Sequence, residues 1–184
     1  MKPLLLALAA ATLAGPALAQ QVLPAQSEIA FVSRQMGVPV EGKFKQWTAQ
    51  IAFDPKNAAA GKVGFSIQTG SASFGSPETD AEVPKAPWFN AAKFPTASFA
   101  SSAIKPLGGG KFEVAGTLSI KGSTQPAVVP VTVTQAGATS TASGSFTIKR
   151  LDFKIGEGEW ADELAQCQFE VEVVDFGSGF IAVQ

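Results

Sequence analysis

Lys111-Phe112-Glu113-Val114-Ala115-Gly116-Thr117-Leu118-Ser119-Ile120 is the stretch that decides the fold. Phe112, Val114, Leu118 and Ile120 occupy alternate positions, opposite a face of Lys, Glu, Ala, Thr and Ser. Alternate residues of an extended chain share a face, so this pattern describes a strand with one side buried. Gly116 interrupts the apolar side and marks a bend. Immediately upstream, residues 106–110 contain Pro106 and three consecutive glycines, a turn signal.

The same period of two recurs in both directions. Upstream lie 96–104, aligning Ala97 and Phe99, and 62–74, aligning Val63, Phe65 and Ile67. Further upstream lie 41–54, aligning Trp47, Ala49, Ile51 and Phe53, and a short opening strand around 29–33. Phe44 falls on the other face of 41–54 in simple register, so a bulge is expected near Gln46. Downstream lie 127–134, which Pro130 assigns to an edge or bulge, then 144–151 and 166–174. Two stretches break the rhythm. Residues 76–93 hold Pro77, Pro84 and Pro87 around Trp88-Phe89 and predict a short helix and loop; residues 152–165 are rich in Gly and acid and hold Phe153 and Trp160.

Eight strands with short connections and no helical crossover predict an all-β fold with short helical insertions. The expected architecture is an antiparallel eight-stranded β-barrel, since closure removes exposed sheet edges. Such a barrel holds side chains alone or one small ligand. All fourteen phenylalanines lie beyond residue 20, and many recur on strand faces. Composition favours a filled core over an apolar cavity.

Composition also narrows the chemistry. The chain has 184 residues, no histidine, no tyrosine, one cysteine and a formal charge of −1. Catalysis by Ser-His-Asp or Cys-His and histidine metal sites are excluded, as are an internal disulfide and a thiolate cluster. The charge balance argues against nucleic acid as a partner. No Gly-x-Ser-x-Gly elbow, phosphate loop or dinucleotide fingerprint is present. The acidic set Glu157, Glu159, Asp162 and Glu163 has no calcium-loop spacing and reads as a solvated cluster. No catalytic residue and no metal ligand stands out, and an enzyme is not expected.

Residues 1–19 read as a secretory signal peptide, with Lys2, an apolar run from Leu4 to Ala11 and an Ala17-Leu18-Ala19 cleavage site. Residues 20–184 are then one exported domain, most simply periplasmic. Cys167 opens an alternating run shared with Phe169, Val171 and Val173, so a buried structural thiol is favoured over a reactive one. Arg150 is one of only two arginines, and alternation places it on the face of Phe146 and Ile148. A buried Arg needs an acidic or hydrogen-bonding partner, such as Asp152 or Asp80. That structural reading is favoured over a clamp for a ligand headgroup.

At these residues the chain resembles the YceI-like family of bacterial periplasmic polyisoprenoid-binding proteins. Gly42-Lys43-Phe44 followed by Ile51-Ala52-Phe53-Asp54 is similar to the family's early strand. Trp88-Phe89-Asn90-Ala91-Ala92-Lys93-Phe94-Pro95-Thr96-Ala97-Ser98-Phe99 is similar to its "FFD…KYPTITF" run. Gly116-Thr117-Leu118-Ser119-Ile120-Lys121-Gly122-Ser123-Thr124-Gln125-Pro126 matches its hairpin, and Arg150-Leu151-Asp152-Phe153-Lys154-Ile155-Gly156 its "R-x-D-F-x-I-G" segment. The departures are the missing histidines, Asn90 for the usual Asp and Phe94 for the usual Tyr, so no histidine chemistry carries over.

The resemblance implies a lipocalin-like barrel whose apolar tunnel holds an isoprenoid lipid, of quinone or polyprenyl type, for transport, storage or sequestration. It implies no further cofactor. It also implies homodimers and, as an alternative role, an accessory partner of a membrane b-type cytochrome. The candidate tunnel residues are Phe31, Phe44, Phe65, Ile67, Phe89, Phe99, Leu118, Ile120 and Phe146, with Arg150 orienting the head and Phe153 and Trp160 at the entrance.

Overall fold

Each alternating run becomes a strand, but two of the runs break in the middle. In a computed structural model, which describes residues 21–35, 38–137, 139–157 and 167–177, the strands are β1 (Gln21–Val22), β2 (Ala30–Gln35), β3 (Val38–Phe44), β4 (Trp47–Ala52), β5 (Lys62–Gln68), β6 (Ala72–Ser73), β7 (Thr96–Gly108), β8 (Lys111–Ile120), β9 (Ser123–Ala136), β10 (Thr139–Ile148) and β11 (Cys167–Gly177). The helix α1 spans Pro77–Glu82. The strands form one sheet in the order β4-β5-β7-β8-β9-β10-β11-β2-β3-β6, with β1 also paired to β11. Every pairing is antiparallel.

The fold is a curled antiparallel sheet, a half-barrel, rather than the eight-stranded closed barrel expected. The difference arises at Lys45-Gln46. The expected strand 41–54 breaks there into β3 and β4, which pair with different neighbours. Its companion 62–74 breaks at the 3-10 turn Thr69–Ser71 into β5 and β6. The two ends of the strand order are therefore the two halves of one bent hairpin. Backbone bonds from Lys45 N to Ser71 O (3.0 Å) and from Gln68 N to Gln46 O (2.9 Å) carry the hairpin through the bend. The Ser71 hydroxyl accepts from Gln46 N at 3.0 Å, replacing a ladder bond. Among the described residues no ladder joins β4 to β6. The strand stops at Phe44 and restarts at Trp47, so the alternation need not run through the bend, and Phe44 on β3 and Ile51 on β4, seven positions apart, are both buried.

β8 has the alternation read from it: Phe112, Val114, Leu118 and Ile120 are buried. Gly116 lies beneath the Phe99 ring of β7, where a Cβ would sit 2.6 Å from Phe99 Cζ and 2.4 Å from Ala100 O. Its role is close approach of a neighbouring ring. The β7–β8 turn tightens to Gly109-Gly110, both at positive φ, as a two-residue hairpin loop requires. Pro130 pairs with Glu113 of β8, while the β9–β10 ladder ends one residue earlier at Val131 and Gly144. Its missing N–H thus falls where β10 no longer pairs.

The expected helix in 76–93 is α1. It is tied to β6 by Asp80, whose carboxylate accepts from Ser73 Oγ and Phe74 N, both at 2.6 Å. These bonds, Ser73 first, hold the Asp80 carboxyl below its ordinary pKa. The expected strand 144–151 stops at Ile148 and gives way to a 3-10 turn, Arg150–Phe153. Lys154 then adopts the left-handed conformation, with φ 57°. Cys167 pairs in register with Ile148 and Ser33. The face expected for the Cys167 side chain, Trp160 and residues 1–19 lie outside the described residues.

Candidate apolar binding cavity

The inward faces of β4, β5 and β7 to β10 do not meet in a filled core. They line a cavity of about 130 Å³. An apolar cavity of ~150 Å³ stays dry and admits a benzene-sized hydrocarbon, and this one is of similar size. Among its lining residues only Ser143 carries a side-chain hydroxyl, and none is charged. A wall of this kind rewards apolar surface and penalises an unpaired polar group.

Of the residues singled out from sequence, Phe44, Phe65, Ile67, Phe89, Phe99, Leu118, Ile120 and Phe146 line the cavity. Ile51, Phe53, Phe112, Val114 and Ile148 line it as well. The signal for Phe112, Val114 and Ile148 was present, since each shares an alternating face with a residue that was chosen, while Ile51 and Phe53 shared one with Trp47 and Ala49. Phe31 and Phe153 are buried but do not line it. Phe31 instead stands in a ring row, 5.0 Å from Phe74 and 5.1 Å from Phe44, with Phe89 5.9 Å beyond Phe44.

Arg150 does not line the cavity either. It is fully buried, and its Nη1 donates to Ile155 O at 2.6 Å and Gly156 O at 2.7 Å. Strand phase placed it on the face of Phe146, but the strand ends at Ile148, so period-two counting no longer applies. The guanidinium thus gathers the 150–156 loop around itself. Gly156 leaves room for it: a Cβ there would lie 2.5 Å from Nη1 and 3.2 Å from the Trp88 ring.

Lys121 is the second buried cation at this end of the sheet. Its ammonium donates to Lys154 O and, at 3.2 Å, to Pro87 O, and lies 3.6 Å from Glu157. Burial pushes its pKa down, and the Glu157 charge opposes that shift. These carbonyl contacts join the 150–157 loop to the Pro87-Trp88 loop, which carries the cavity residue Phe89.

A polar groove is bounded by residues 27–28, 43–48, Ser66 and Gln68. Phe44 lines both the groove and the apolar cavity. Lys43 and Glu28 pair across the groove rim at 2.8 Å, and Lys45 approaches Asp80 at 3.8 Å. Among the described residues no group of three or more His, Cys, Asp or Glu side chains is placed to hold a metal ion, and no helix is long and apolar enough to cross a membrane.

An antiparallel half-barrel around an uncharged, aromatic-rich cavity defines a class of scaffold suited to holding an apolar guest. The chain belongs to the YceI-like family, whose domain matches residues 21–174. It is similar to the crystal structure of Burkholderia cenocepacia BcnA, with 43% identity, a TM-score of 0.81, and coverage of 84% of this chain and 99% of that one. It is similar to a Campylobacter jejuni YceI protein at 25% identity and a TM-score of 0.62, covering 73% of this chain and 84% of the other. A polyisoprenoid-binding domain from Saccharophagus degradans shares the fold, at 14% identity and a TM-score of 0.64 over 86% of this chain and 97% of that one. Among curated relatives, a UPF0312 protein of Vibrio cholerae is 31% identical over 114 residues, which span 61% of this chain and 60% of the relative.

Proposed function

We propose that this protein binds an isoprenoid lipid, its chain held in the apolar cavity of the half-barrel. The observation that carries the reading is the cavity wall, closed to charge and built from Phe, Ile, Val and Leu. Burial of hydrocarbon gains about 0.8 kcal/mol per CH₂-sized group, so one five-carbon isoprene unit contributes up to about 4 kcal/mol before ordering costs. The polyisoprenoid-binding domain from Saccharophagus degradans, which shares the fold, supports the same ligand class. In this reading the lipid is of quinone or polyprenyl type and the sheet serves as a lipocalin-like tunnel. The protein is exported through its N-terminal segment and carries, stores or sequesters lipid in the periplasm. The homodimer and the cytochrome partner implied by the family resemblance are separate expectations, read out by size-exclusion chromatography and by co-purification.

The test is an organic extract of protein purified from its own host, analysed by mass spectrometry. An isoprenoid present near one per protein is expected. Protein free of lipid, whose cavity also takes up neither farnesol nor geranylgeraniol, would overturn the reading.

A further inference from the structure

Phe44 is shared by two surfaces of opposite character. It lines the uncharged cavity and also the polar groove. The groove sits where β3 and β4 part company, at the bend Lys45-Gln46. There the sheet has no regular ladder to seal it: Ser71 Oγ and single backbone bonds span the gap. The neighbouring rim of the cavity, beside Phe89, is built differently. Beyond Ile120 and Ile148 stand Lys121 and Arg150, both buried and both bonded to loop carbonyls. Opening that rim would strip two buried cations of their carbonyl acceptors. Opening the groove end requires one aromatic ring to turn between Phe31 and Phe89, whose centroids lie 5.1 and 5.9 Å away.

We infer that the groove over Lys43, Lys45, Gln46 and Gln68 is the doorway to the cavity, that Phe44 is its door, and that the groove seats the polar end of the ligand. This deepens the proposed function and rests on the cavity being the ligand site. The groove offers two ammonium groups against the single carboxylate of Glu28. Lys45 is 60% exposed, and its 3.8 Å approach to Asp80 is too long to hold it firmly. The chemistry suits a head rich in acceptor oxygens, and an anionic phosphate over a neutral hydroxyl.

Stopped-flow association of the neutral fluorescent probe phenylnaphthylamine tests the route. Ser66→Trp fills the groove from a residue that does not line the cavity, and it should slow association about tenfold. Phe44→Leu should raise association and dissociation rates together, and this variant is chosen over Phe44→Ala to keep the core filled. Leu151→Trp, at an exposed position of the neighbouring 150–156 loop, should leave both rates at the wild-type value. Lys45→Glu should lower the affinity for farnesyl phosphate several-fold relative to farnesol. If the wild type takes up neither the probe nor farnesol, the cavity reading falls and the doorway with it. If the wild type binds but Ser66→Trp and Phe44→Leu keep its rates, the doorway alone is refuted. An unchanged phosphate preference in Lys45→Glu removes the headgroup seat.

Discussion

Arg150→Leu separates a structural arginine from a ligand clamp. The side chain is fully buried and donates to two carbonyls, those of Ile155 and Gly156, which are themselves in buried residues. Leucine leaves both acceptors without this donor. An unsatisfied buried polar group costs about 1–3 kcal/mol, so the gross loss is about 2–6 kcal/mol. Removing a buried charge returns part of this, because its desolvation is no longer required. A net loss of about 3 kcal/mol is expected. For a domain of this size 1 kcal/mol moves the midpoint by about 2–4 °C, so Tm should fall by about 6–12 °C. Urea unfolding followed by fluorescence gives the stability, and titration with farnesol and farnesyl phosphate gives the affinities. Both ligands should weaken by the same factor or not at all. Wild-type stability combined with selective loss of farnesyl phosphate would refute the structural assignment and return Arg150 to the ligand. Arg150→Lys should recover only part of the stability, because an ammonium lacks the planar fork of donors.

Three other perturbations test the fold and the cavity. Gly116→Val drives a side chain into Ala100 O and the Phe99 ring, and should cost about 3 kcal/mol or more; a variant as stable as wild type would show that β7 and β8 do not approach this closely. Ala142→Phe places a ring in the cavity wall and should abolish uptake of farnesol while the far-ultraviolet circular dichroism stays that of the wild type; unimpaired uptake would place the ligand elsewhere. Asp80 has a folded-state pKa below its ordinary value, so its stabilising bonds are fully present above about pH 4 and are lost as pH falls through the lowered value. Asp80→Asn should therefore flatten the acid limb of the urea-midpoint curve, and parallel curves for the two proteins would remove the Asp80 bonds from the acid response.

The antiparallel β-sheet, though not its opening into a half-barrel, was legible because its signal is local. Each inward residue of β8 is two positions from the next, and neighbouring strands repeat the pattern. The break at Lys45-Gln46 left a trace, since Phe44 was out of phase with Ile51 and Phe53. A phase slip reads equally as a bulge within one strand or as a bend between two, and only the pairing partners distinguish them. The same ambiguity hid the end of β10. Arg150 continued the count from Phe146 and Ile148, but residue 149 already leaves the sheet, and in the 3-10 turn side chains no longer alternate between two faces. Lys121 was invisible as a buried cation. Its acceptors, Pro87 O and Lys154 O, come from loops 34 and 33 residues away, and a carbonyl has no side-chain identity to search for.

The cavity itself is the hardest feature to read from residue types. A phenylalanine that fills a core and one that lines a void have the same neighbours in sequence and the same alternating face. What separates them is the distance between opposite walls of the sheet, and that is set by backbone curvature. Here the curvature comes from the bend at Lys45-Gln46, where a hairpin that would otherwise lie in one plane sends β4-β5 to one end of the sheet and β3-β6 to the other. The bend thus accounts for two things together. It holds the walls apart, and it leaves beside Phe44 a place where the wall is not sealed by a ladder. A hollow made by bending a strand carries its weak point at the bend, and in this chain the polar groove opens at that point.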